Sequence, residues 1–210
     1  MMLDFASLMQ KYKMNINGVL HVGAHLAEEA ELYKQFKVGH VWWVEANPAV
    51  VAKIENKLRM FKDQELIQAL VFDEDGKDLS FNVTNYDGMS SSVYEFGTHT
   101  QFSPDIHFVQ KVELKSSTID TLARDNSISA NFLNLDIQGA EGPALKGASG
   151  FLSGVDYVMT EVNKDQVYVG CTQVKDIDKI LSDFIRVETY WVPGQGWGDA
   201  LYIRSSVLNG

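Results

Sequence analysis

Gly18-Val-Leu-His-Val-Gly23 and His40-Val-Trp-Trp-Val-Glu45 are two short apolar runs, one closed by a glycine and the other by a carboxylate. Between them, Glu28 to Phe36 is built from helix-forming residues with apolar side chains at Leu32, Tyr33 and Phe36. Runs that are apolar throughout, bounded by turns and joined by a helical interval, are the pattern of buried parallel strands. The unit repeats. Pro48 to Phe61 reads as a second helix with proline in its first turn, and Glu65 to Phe72 as a third strand.

Working outward, Leu3, Leu8 and Met9 recur at helical spacing and predict a short amphipathic helix over about residues 2–13, stopped near Asn15 and Gly18. Asp73-Glu-Asp-Gly76 makes a turn into an extended stretch, Leu79 to Thr84, and from there the βα alternation lapses into an irregular insert over about residues 73–115. Within it, residues 86–106 are rich in Gly, Ser, Thr and aromatics, and a loop so long is usually functional or mobile. Val109 to Leu114 reads as extended and Thr118 to Arg124 as helical. Asn131 to Asp136 is a further buried strand, followed by a helix from about Gly142, a strand at Tyr157 to Val162 and a helix at Val174 to Phe184. The final runs, Val187 to Val192 and Asp199 to Arg204, flank Pro193-Gly-Gln-Gly-Trp-Gly198 and stand too close for a parallel crossover. The predicted fold is therefore α/β, one doubly wound, mostly parallel sheet over residues 1–210 with helices on both faces and an antiparallel C-terminal hairpin.

Composition narrows the function. With 210 residues, 45% hydrophobic and 22% charged, the chain suits one globular unit. A formal net charge of −10 argues against a protein that grips nucleic acid through its phosphates. Cys171 is the single cysteine, which rules out an internal disulfide and suits a reducing compartment. The start lacks the apolar core of a signal peptide, and no run is long enough to span a bilayer, so the expectation is a cytoplasmic protein with no membrane partner. Nothing in the sequence specifies an oligomeric state.

The ligand edge of such a sheet lies at the carboxyl ends of its strands. There the turn Val22-Gly23-Ala24-His25-Leu26-Ala27 would let backbone N–H groups approach a ligand. Taken alone it fits a ligand-free connection as well. Glu45 ends the second strand, where a carboxylate can accept both hydroxyls of a ribose; that pairing is shared by NAD-binding and S-adenosylmethionine-binding folds. His25 and Ala27 stand where a pyrophosphate would want glycine. Asp136 ends another buried strand, with a small-residue turn and Glu141 after it, and Glu161 and Asn163 end the next.

Leu135-Asp136-Ile-Gln138-Gly139-Ala-Glu141-Gly142, continuing into Ala144-Leu-Lys-Gly-Ala148, resembles the signature of the FkbM-type methyltransferases, which usually runs Lys-Ile-Asp-Val-Glu-Gly-x-Glu and then Val-Leu-Lys-Gly-Ala. The resemblance extends over residues 18–204 and is clearest at Val19–Ala27, Val44–Pro48, Thr118–Leu122 and Leu133–Ala148. It implies a class I, Rossmann-like methyltransferase that moves a methyl group from S-adenosylmethionine to a hydroxyl of a small-molecule or glycan-like acceptor. It also implies that Gly23, Ala24 and His25 line the methionine end of the cofactor, Glu45 and neighbouring Asn47 the ribose, and Asp136 the edge facing the methyl group. The chain departs from the pattern in having Gln138 for the usual Glu, His21 and His25 for the usual Asp and Asn, and Ala27 for a glycine.

Such a reaction needs an aligned oxygen and a group to take its proton, and Asp136, Glu161 and Glu141 are the candidate catalytic residues. Asp136, Glu161 and Asn163 together offer oxygens of the kind that hold Mg²⁺, although a resident metal is not the favoured reading and His99 and His107 have no metal-ligand spacing. Ser90, Ser91 and Ser92 fall near the expected ligand edge, while Trp191 and Trp197 bracket the final hairpin. An NAD-type oxidoreductase and a catalytically silent binding module are the competing readings.

Overall fold

The structure, a computed structural model, describes residues 2–208. Asp4 accepts the Ser7 N–H at 3.0 Å and so starts α1 (Phe5–Lys11), which is shorter than the sequence predicted. β1 (Gly18–Val22) is buried along its whole length and turns into α2 (Ala30–Phe36). β2 (His40–Glu45) passes through the capping residue Asn47 to α3 (Pro48–Leu58), with Pro48 in its first turn. The stretch expected as one third strand is two: β3 (Gln64–Gln68) and β4 (Leu70–Val71). They part at Ala69, whose N–H donates to the Glu45 carbonyl at 3.0 Å, and the chain then leaves one sheet for another.

β5 (Asp78–Thr84), α4 (His99–Phe102) and β6 (Phe108–Ser117) follow, and β4, β6 and β5 form a small separate sheet in that order. Thr118 caps α5 (Ile119–Asp125), which leads to β7 (Phe132–Leu135). The expected long helix after Gly142 is two short ones, α6 (Glu141–Lys146) and α7 (Ser149–Leu152). β8 (Tyr157–Asn163), α8 (Val174–Ile180), β9 (Phe184–Trp191), β10 (Trp197–Arg204) and α9 (Ser205–Leu208) complete the described residues.

The main sheet has seven strands in the order β3-β2-β1-β7-β8-β10-β9, parallel except for β10, which runs antiparallel to both neighbours. The C-terminal hairpin is therefore present, but its second strand is inserted beside β8 and its first becomes the edge. Side chains alternate between two cores. Leu20, Val22, Val44, Leu133 and Leu135 pack with α5, α6 and α8 on one face. Val19, Val41, Trp43 and Phe132 pack with α1, α2 and α3 on the other. Helices cover both faces, as a parallel sheet requires. No helix among the described residues is long and apolar enough to cross a membrane.

Candidate active site

The carboxyl ends of β1, β2, β7 and β8 open on a cavity of about 480 Å³, in the size range of small-molecule sites. β1 and β7 converge there so closely that a Cβ on Gly23, whose φ is +95°, would lie 1.8 Å from the Asp136 carbonyl oxygen. Only glycine fits, and the neighbour that demands it is β7. The Gly23 and Ala24 amides both donate to the Val44 carbonyl, at 2.9 and 3.0 Å. The expectation that these N–H groups face a ligand is therefore corrected: the sheet uses both, although Gly23, Ala24 and His25 do line the cavity. His25 and Ala27 hold φ values of +42° and +51°, in the left-handed region, so position 27 is one where the glycine usual among FkbM-type chains would be relaxed.

Glu45 forms the next part of the wall. Its Oε2 accepts the His25 N–H at 2.9 Å and its Oε1 the Asn47 N–H at 2.7 Å. Burial pushes this carboxyl above its ordinary value, opposed by those two amide bonds and by nearby His25. Each oxygen keeps a further acceptor site. Asn47 itself caps α3 by accepting the Ala49 N–H at 3.0 Å and stands outside the cavity lining, so its contact is with Glu45.

At the centre, Gln138 joins the acidic groups. Its Nε2 donates to Asp136 Oδ1 at 2.6 Å and to Glu161 Oε2 at 3.2 Å, while its Oε1 accepts the Tyr168 hydroxyl at 2.5 Å. Asn163 donates to the other Glu161 oxygen at 3.1 Å. Burial raises the Asp136 carboxyl, helped by the Asp199 carboxylate and opposed by Gln138. Glu161 is raised well above the carboxylate range, first by burial and then by Asp136 and Glu141. The Gln138 amide thus holds the bridging position between Asp136 and Glu161 where a shared cation would sit. Among the described residues, no group of three or more His, Cys, Asp or Glu side chains is arranged to hold a metal ion.

Asp136 and Glu161 line the cavity; Glu141 does not. Its Oε1 instead accepts the Ile137 and Gly139 N–H groups at 3.0 and 3.1 Å, bracing the turn from behind, and burial together with the Asp136 charge lifts it to about 7. The irregular insert closes the opposite side. Ser92 Oγ donates to the Gln138 carbonyl at 2.7 Å, and Ser90 Oγ lies 3.2 Å from His99 Nε2. His99, which the sequence leaves without a role, stacks on Phe96 at 4.2 Å and lines the cavity with Tyr168, Phe102 and Trp197. His21 is buried against Trp43 at 4.4 Å and held neutral, its value lowered to about 4 by burial. Tyr168 was missed by sequence reasoning because its contact with Gln138 spans thirty residues.

The chain and its fold are similar to known methyltransferases. A curated 2-O-methyltransferase, NoeI of Sinorhizobium fredii, is 21% identical over 198 residues, covering 90% of this chain and 80% of its own. The fold is similar to the magnesium protoporphyrin IX methyltransferase of Synechocystis PCC 6803, solved with bound S-adenosylmethionine (TM-score 0.53, 12% identity, 95% of this chain and 76% of that one). It is also similar to M. capricolum TrmK in complex with S-adenosyl-homocysteine (TM-score 0.52, 9% identity, 98% and 70%). The methyltransferase FkbM domain matches residues 21–188, so the chain belongs to the FkbM methyltransferase family and is a methyltransferase of the S-adenosylmethionine-dependent class I fold.

Proposed function

We propose that this methyltransferase binds S-adenosylmethionine in the 480 Å³ cavity and methylates a hydroxyl oxygen of a small-molecule or glycan-like acceptor. The observation that carries the cofactor assignment is the charge of the lining: Glu28, Glu29, Glu45, Asp136 and Glu161 face the cavity and, among the described residues, no lysine or arginine does. S-adenosylmethionine has a net positive charge, and this lining suits it. A dinucleotide would bring two phosphates with no cation to meet them, which removes the support for the NAD-type reading. The curated 2-O-methyltransferase relative supports oxygen as the acceptor atom.

The cofactor supplies a methyl group already activated by its sulfonium. Glu45 would accept the two ribose hydroxyls on the lone pairs left free by the His25 and Asn47 amides. When bound, S-adenosylmethionine would give up its methyl group to the acceptor oxygen, its S–C bond breaking to leave the neutral thioether, and the Asp136 and Glu161 pair would take the acceptor's proton. Both carboxyls are raised by burial and by neighbouring carboxylates, which makes their ionised forms stronger proton acceptors than an exposed carboxylate. Such a base contributes on the order of 10²–10⁴-fold, and alignment of the acceptor on the order of 7–11 kcal/mol.

Calorimetric titration with S-adenosylmethionine, S-adenosylhomocysteine and NAD in parallel tests the reading. Binding of the first two with none of the third is expected; binding of NAD alone would overturn it. Asp136→Ala should then lose turnover and Glu45→Ala should lose cofactor affinity, whereas a silent binding module would show no turnover to lose.

A further inference from the structure

The cavity has two unlike walls. The ends of β1, β2, β7 and β8 supply the carboxylates, whereas His99, Phe102, Tyr168 and Trp197 supply an aromatic wall from the insert, the loop after β8 and the start of β10. These walls meet at Gln138, which holds Asp136 on one side and the Tyr168 hydroxyl on the other. Substrate next to Asp136 must therefore lie against the aromatic wall.

Among the described residues, the lysines on α3 and just after β8 are engaged elsewhere. Lys57 Nζ donates to the Leu26 and Ala27 carbonyls at 2.7 Å, Lys53 pairs with Asp87 at 2.8 Å, and Lys164 lies over the Trp191 ring at 5.0 Å. Three imidazoles line the cavity. His21 and His99 are held neutral by burial, and His25, which favours its proton, already pairs with Glu28 at 2.8 Å. His99 Nδ1 is buried with no hydrogen-bond partner among the described residues, and Ser90 Oγ stands at the other ring nitrogen. These are groups that exchange hydrogen bonds with hydroxyls, and none of them neutralises an anion. Aromatic faces stack on the apolar face of a saccharide ring, and a phosphate or carboxylate placed here would face like charge without a partner.

Building on the hydroxyl-acceptor reading above, we propose that the aromatic half of the cavity selects an uncharged, hydroxyl-bearing ring such as a neutral sugar unit, and rejects acceptors that carry a phosphate or carboxylate on the methylated unit.

Matched pairs that differ only in the anionic group test it: methyl glucoside against methyl glucuronide, and N-acetylglucosamine against its 6-phosphate. Each is offered to the S-adenosylhomocysteine-loaded protein in saturation-transfer NMR, and with S-adenosylmethionine in a mass-spectrometric assay of methyl transfer. The neutral member of each pair should bind and react at least tenfold better. Ser103→Lys, which sets an ammonium at the half-buried cavity rim, should narrow that preference. Equal or better use of the anionic member would overturn the inference while leaving the O-methyltransferase reading intact. A cofactor-loaded protein that neither binds nor methylates any of the four would overturn the glycan-like reading and this inference together.

Discussion

Gln138 Nε2 stands 2.6 Å from Asp136 Oδ1, so the carboxyl that follows β7 accepts an amide hydrogen bond where other FkbM-type chains usually have a second acid. The same nitrogen serves Glu161. Gln138→Glu removes this donor and adds a carboxyl to a buried acidic group. Its folded-state value must rise, so the variant should be harmed little at pH 5 and lose about 1–3 kcal/mol at pH 8, where the added group ionises. Urea unfolding at the two pH values reads this; equal losses at both would show that the amide acts only through packing.

Gly23 leaves no room for a side chain. Gly23→Ala would drive a Cβ into the Asp136 carbonyl while holding φ at +95°. A loss above about 3 kcal/mol is expected, with β1 and β7 forced apart and cofactor binding abolished. Thermal unfolding and calorimetry check both parts.

Under the proposed function Glu45 does two tasks with one carboxylate, organising the His25 and Asn47 amides and offering acceptors to the ribose. Glu45→Gln keeps one acceptor oxygen and replaces the other with a donor that faces an N–H group. Cofactor affinity should fall about 10–100-fold, or about 1.4–2.8 kcal/mol, with a smaller effect on turnover at saturation. A variant that lost turnover but kept its affinity would move Glu45 from the ribose to the chemistry.

Two buried groups work against each other in acid. Glu141 is raised from 4.5 to about 7, so the folded state holds a proton that the unfolded chain has released, and its contribution declines as pH rises through that window. His21 is lowered from 6.5 to about 4, so its contribution declines as pH falls through that range. Between 4.5 and 6.5 the two slopes oppose. Glu141→Gln removes one of them: the variant should exceed the wild type by up to about 3 kcal/mol at pH 8, with the difference gone by pH 4.5.

The parallel strands and their terminal residues were legible because each is a local pattern: an apolar run, then Gly23, Glu45 or Asp136 at its end. The split between β3 and β4 was not, because the residues on both sides of Ala69 are equally strand-forming and only the bond to the Glu45 carbonyl marks the change of sheet. The aromatic wall was not legible either. His99 and Tyr168 are brought together by the Phe96 to Tyr168 bridge between the insert and the loop after β8, and no periodicity announces such a contact. Glu141 read as a ligand-edge acid for the opposite reason: it follows Asp136 closely in sequence, yet the turn folds back and points it at its own backbone.

The order of strands also bears on how the chain is made. β9 pairs only with β10, and β10 lies between β9 and β8. As the polypeptide leaves the ribosome, β8 therefore waits as an open edge while β9, already synthesised, has nowhere to dock. Both are secured in one step when Trp197–Arg204 slides between them. An exposed edge during synthesis is a hazard for mispairing with a neighbouring nascent chain. Arg186 and Glu188, of opposite charge, lie on β9, the strand left at the edge of the finished sheet, and are placed to discourage it.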